Sequence, residues 1–282
     1  MCYFNNMLKP AITLSLLLAI PLSGQSAPSF EVASVKPNKS GDFRRGLGPE
    51  PGGRFVAINV PLRDLVALAY GISNLDAEAR VIDMPETIAR ERFDVTAKAS
   101  GTPAPADYPP MVKAMLIERF KLQAHEEVRD VQAFALVRAR ADGTLGPRLR
   151  KSDVDCDARR AAAKGGTPLP QPASGPVCTG RTIPGTITAT ALSIGSLAGG
   201  LIRFAGRSVV DETGLAGYYD YELRWTPDEP PEPRPGEPPL VIDPNGPSLS
   251  TALQEQLGLR LEPRRVPMKV VVIDHAELPT PD

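Results

Sequence analysis

The chain has 282 residues, 42% of them apolar, and a near balance of 32 basic and 33 acidic side chains. That length is enough for two modest domains or one large one. The balance argues against a polyanion partner, which calls for a basic surplus or stripe, so no nucleic acid is expected.

The chain opens on a leader. Residues 11–22 are almost entirely apolar, interrupted by Thr13 and Ser15, and Lys9 precedes them. The run is shorter than the about 20 residues of a membrane span and fits the apolar core of a secretory signal peptide. Gly24-Gln25-Ser26 supplies the small-x-small cleavage pattern, so residues 1–26 are expected to leave, with the cut after Ser26. An uncleaved anchor is the alternative reading. No later stretch approaches span length, so the exported chain is expected in the periplasm or outside the cell, with no membrane span.

Residues 27–140 read as a first α+β lobe. A strand around residues 54–59 leads to a helix around 62–70, where Leu62, Leu65, Val66 and Ala69 share one face and Gly71 stops the turn. A short strand follows near 81–83. Phe93, Val95 and Ala97 then alternate with Asp94, Thr96 and Lys98, a half-buried strand. A proline-rich loop precedes a helix around 111–120, and two strands are expected at 121–128 and 131–138.

Residues 141–185 read as an irregular linker. Once Cys2 leaves with the leader, Cys156 and Cys178 remain, and in an oxidising compartment they are expected to pair. The alternative, a metal or redox pair, needs closer spacing or a nearby histidine.

Residues 186–282 repeat the first order: a strand at 186–190, a helix capped by Ser193, a short strand at 208–211 and an alternating strand carrying Tyr219, Tyr221, Leu223 and Trp225. A second proline-rich loop (227–247) leads to a helix opened by Ser248 and closed by Gly258, then to strands at 259–264 and 268–275. The expected fold is therefore α+β in two similar lobes. Each is β-α-β-β-α-β-β, with two helices on one face of a mixed or antiparallel sheet. Leu65 and Leu197, Asp94 and Asp220, and Phe120 and Leu259 are the expected counterparts.

The catalytic inventory is thin. The two histidines are His125, beside Glu126 and Glu127, and His275, after Asp274. No zinc, nucleophile-elbow, phosphate-loop or dinucleotide motif occurs, so neither a metal nor a cofactor is expected. Asp42, Asp83, Asp211 and Asp243 are scattered acids near turns. Tyr218, Tyr219 and Tyr221 form an aromatic run that reads either as a core strand or as a binding surface, with Gly214 and Gly217 in the tight connection before it.

Several runs carry a resemblance. They are Phe30-Glu31-Val32-Ala33-Ser34-Val35-Lys36-Pro37-Asn38, Gly52-Gly53-Arg54-Phe55, Val60-Pro61-Leu62-Arg63-Asp64-Leu65 and Arg92-Phe93-Asp94-Val95, then Arg207-Ser208-Val209-Val210-Asp211-Glu212-Thr213-Gly214-Leu215, Gln256-Leu257-Gly258-Leu259 and Val272-Ile273-Asp274-His275. In this order they resemble the soil-associated family of exported bacterial proteins, which carries a domain of unknown function. The resemblance implies an envelope or secreted protein. Some relatives carry the domain beside a membrane metallopeptidase sensor of the penicillin-receptor type, which implies sensing or interaction. A lesser likeness, in residues 55–65, is to the short N-terminal domains of secretins and TonB-dependent receptors.

The first functional reading is a non-enzymatic extracytoplasmic binding or interaction module that takes a peptide, polymer or envelope protein at its sheet edges or inter-lobe groove. The alternative is an envelope hydrolase acting on a cell-wall or polymeric substrate, with His275, Asp274 and Asp211 converging in its site.

Overall fold

The computed structural model describes residues 28–279, apart from 42–43, 168, 173–174 and 229–242. The expected leader, Asp42 and most of the second proline-rich loop lie outside the described residues. The first half runs β1 (Phe30–Pro37), β2 (Gly46–Glu50), β3 (Arg54–Pro61), α1 (Leu62–Ala69), α2 (Ala77–Arg80), β4 (Val81–Ile82), α3 (Glu86–Ala89), β5 (Arg92–Ala99), α4 (Tyr108–Phe120) and β6 (Gln123–Arg138). The second runs β7 (Leu149–Lys151), α5 (Cys156–Lys164), β8 (Thr179–Ile183), β9 (Thr186–Leu192), α6 (Ile194–Ala205), β10 (Val209–Asp211), β11 (Tyr219–Arg224), α7 (Leu249–Ala252) and β12 (Leu259–His275). The α+β class is as expected.

These strands form three four-stranded sheets, in the orders β1-β5-β3-β2, β7-β11-β9-β8 and β10-β6-β12-β4. The first two are antiparallel. The third is mixed and is built on the antiparallel ribbon β6–β12, with β10 and β4 parallel on its flanks. Three expectations are corrected here. The strand pairs expected at 121–128 and 131–138, and at 259–264 and 268–275, are each one continuous strand. The stretch read as an irregular linker supplies β7, α5 and β8, and its two strands are the outer strands of a sheet. The halves are also not self-contained, because β4 of the first pairs with β12 of the second, and β10 of the second with β6 of the first.

Core packing follows from this exchange. Val35, Phe55, Leu65, Phe93, Leu116 and Phe120 form one apolar cluster, which takes Val271 and Ile273 from β12. Ile187, Leu197, Leu201, Leu223 and Leu253 form the other, which takes Leu136 from β6. Each fully buried aliphatic or aromatic side chain of this kind contributes roughly 1.5–3 kcal/mol relative to exposure.

Two matching bulges set the registers of the outer sheets. Asn59 in β3 has φ 53° and donates its N–H to Asp94 Oδ1 at 2.9 Å. Ala191 in β9 has φ 56° and donates to Asp220 Oδ1 at 2.7 Å. A left-handed residue inside a strand leaves its N–H off the ladder, and a carboxylate on the neighbouring strand satisfies it. Asp94 and Asp220 thus play the same part. Phe120 and Leu259 do not. The left-handed helix caps are Lys121 and Gly258, so Phe120 corresponds to Leu257.

Candidate binding surface

The predicted site residues do not meet. Asp211 ends β10 opposite Leu136 of β6, whereas Asp274 lies beside Gln123 and Ala124 of the same strand. At roughly 3.3 Å per residue, about 40 Å of strand separates them. Asp211 is occupied locally, its Oδ1 accepting from Thr213 N (3.0 Å) and Thr213 Oγ1 (2.7 Å) to cap the turn before β11. His275 pairs through Nε2 with Glu277 at 2.9 Å. Asp274 instead bonds His125 Nδ1 at 2.8 Å across the ribbon. This contact holds the exposed His125 imidazole above its ordinary pKa, since the carboxylate favours the imidazolium.

The aromatic run divides between core and disulfide. Tyr219 and Tyr221 are buried in the second core, and burial pushes the Tyr221 phenol up. Tyr218 packs on the Cys156–Cys178 disulfide, whose Cα atoms are 5.7 Å apart, and an Asp157 hydrogen bond raises its phenol. A cleft of about 320 Å³ opens beside Trp225 and Gln256. Its cations are committed, since Arg148 and Arg224 both pair with Glu222 and Gln256 bonds the Arg224 backbone twice. Among the described residues, no three His, Cys, Asp or Glu side chains are grouped to hold a metal ion, and no helix is long and apolar enough to cross a membrane.

The feature that stands out is the ribbon's edge. Phe134 N donates to Ser208 O (2.8 Å) and Glu212 N to Leu136 O (3.0 Å), so the even-numbered residues of β6 turn their backbone groups away from β12. The register is unbroken from Leu259↔Arg138 to Ile273↔Ala124, which carries that parity along the strand. Tyr70 Oη donates to Ala124 O at the far end, in agreement. Between these ends Glu126, Val128, Asp130 and Gln132 present N–H and C=O groups outward, with no protein partner among the described residues.

The matching edge of β12 offers fewer donors. Its outward residues are Leu261, Pro263, Arg265, Pro267 and Lys269. Two of these have no N–H to offer, and Lys269 O already accepts from Arg80 Nε at 2.8 Å. Pro263 falls inside the expected strand 259–264, and Pro267 in the gap before the next. They are tolerated because an outward-facing residue has no ladder N–H to lose.

Charge lines both arms of the ribbon. His125, Glu127 and Arg129 follow one another on one face of β6, and Arg129 reaches Asp83 at 3.5 Å. Arg260, Glu262 and Arg264 do the same on β12, and Arg264 reaches Glu212 at 3.0 Å. The Arg264 and Arg260 guanidiniums hold the Glu262 carboxyl below its ordinary range. The other face of β6 carries Glu126, the 64% exposed Val128 and Asp130.

Residues 63–276 match the model of a family described as Protein of unknown function (DUF3738). No curated protein and no solved structure matches the chain.

Proposed function

This chain belongs to the DUF3738 family, and from its geometry we propose that it is a non-enzymatic interaction module that binds an extended segment of a partner by strand addition along β6. The open backbone edge at Glu126, Val128, Asp130 and Gln132 carries this reading, because an added strand completes those hydrogen bonds. Two observations support it. Prolines remove two of the outward N–H groups of β12, and β6 keeps all of its own. Asp211 of the hydrolase alternative lies far along β6 from the end where Asp274 and His275 stand together.

The module works outside the cytoplasm, in the periplasm or beyond it, on a peptide or envelope-protein partner. The apolar leader and the Cys156–Cys178 disulfide support that location, since disulfides persist in oxidising compartments. The resemblance to exported soil-associated proteins, some with relatives carrying this domain beside a metallopeptidase sensor, fits an interaction role.

The test is selection from a displayed library of short extended peptides, run on the chain and on Val128→Pro. That substitution removes one outward N–H as Pro263 and Pro267 do on β12. Peptides enriched by the chain and lost by Val128→Pro, with its melting transition retained, are the expected result. Enriched peptides indifferent to Val128→Pro, or no enrichment at all, would contradict the reading.

A further inference from the structure

We infer that the strand β6 receives is basic at both ends and apolar in its middle: an extended peptide with Lys or Arg at two positions four residues apart and a β-branched or apolar residue midway. The inference rests on the strand-addition reading above and adds the chemistry of the partner. Side chains alternate along a strand, so Glu126, Val128 and Asp130 stand in a row on one face, the apolar one between two acids. A strand laid along this edge sets its own alternate side chains directly opposite them, at about 5.5 Å between Cα atoms. Opposite charges so placed attract, and like charges repel.

The acids are available for this. Lys269 reaches Glu126 only at 3.5 Å and is itself largely exposed, and no ion pair engages Asp130 among the described residues. On the other face Glu127 and Arg129 neutralise one another, so the net charge of β6's own outward row is the acidic pair beside Val128, with Lys269 and Arg265 of β12 one strand behind it.

The same row argues against a second copy of this chain as the occupant. Antiparallel pairing of two β6 strands about Val128 sets Glu126 of each copy against Asp130 of the other, like charges face to face. Charged residues on an edge strand deter unspecific pairing. Here they leave the edge open to a strand of opposite charge.

The experiment uses the chain without its leader and three synthetic peptides sharing threonine flanks, with cores Lys-Thr-Val-Thr-Lys, Ser-Thr-Val-Thr-Ser and Glu-Thr-Val-Thr-Glu. Calorimetric titration at low salt should give the dilysine peptide about tenfold or greater affinity over the diglutamate peptide. That gap should close in the Glu126→Gln/Asp130→Asn double variant and shrink with added salt. Equal binding of all three peptides, abolished by Val128→Pro, would overturn the charge pattern and leave strand addition standing. Absence of binding, or binding indifferent to Val128→Pro, would overturn both. A dimer by sedimentation that Val128→Pro dissociates would make a second copy the occupant and overturn the basic-peptide inference.

Discussion

His125 shows how one residue joins distant parts of the sequence. Its neighbours Glu126 and Glu127 suggest an oriented base, yet its short contact is with Asp274, 149 positions along the chain. Only the ladder brings that partner across. The Asp274 hydrogen bond raises the folded-state pKa of His125 above its unfolded value. The contact therefore steadies the ribbon end fully below the unfolded imidazole value, and its contribution is lost as pH rises through the higher folded value. Titration of the imidazole by NMR should find the pKa of His125 falling toward the ordinary histidine value in Asp274→Asn. An unmoved His125 would show that Asp274 does not hold it. Asp94 and Asp220 were legible as counterparts, because each sits at the same place in an alternating strand. The pairing of Phe120 with Leu259 was misplaced by two residues, because the left-handed Lys121 does not announce itself as Gly258 does.

At the level of elements, alternation and caps were legible and interruptions were not. The helix ended by Gly71, those opened by Ser193 and Ser248, and the alternating strands β5 and β11 lie where the residues place them. The long strands of the ribbon each read as two, with gaps at 129–130 and at 265–267, because the outward orientation of Asp130 and Pro267 is a tertiary fact. The segment around the disulfide reads as linker because β7 and β8 are short and polar. As edge strands they need no apolar alternation. The disulfide ties α5 to the approach of β8, and the Cys156 sulfur lies 3.1 Å from the carbonyl of Ala191, beside the bulge of β9. Closing a loop of this separation stabilises by about 3 kcal/mol in the chain-entropy model. Cys156→Ser/Cys178→Ser should therefore unfold at lower urea concentration than the oxidised chain, with its unfolding free energy reduced by about 2–4 kcal/mol. Coincident unfolding curves would mean that the staple adds nothing.

Across the whole molecule, two halves with matching strand orders share the ribbon β6–β12, which ends in both cores. The buried bond from Ser208 Oγ to Asp76 Oδ1 (2.7 Å) ties β10 to α2 across the same junction. Sharing a sheet leaves the middle of the ribbon with one partner strand on each arm, and its two outer edges differ in one respect: β12 carries prolines where β6 carries N–H groups. The α+β class was readable from periodicity. The sharing was not, because a strand's sequence does not name the strand it pairs with. Amide hydrogen exchange read residue by residue along β6 tests the open edge most directly. The amides of Glu126, Val128, Asp130 and Gln132 should exchange fast while those of Glu127, Arg129 and Val131 are protected by β12, and the fast set should slow when the dilysine peptide binds. Uniform protection from Ala124 to Gln132 in the free chain would mean that the edge is already covered, and would contradict strand addition there.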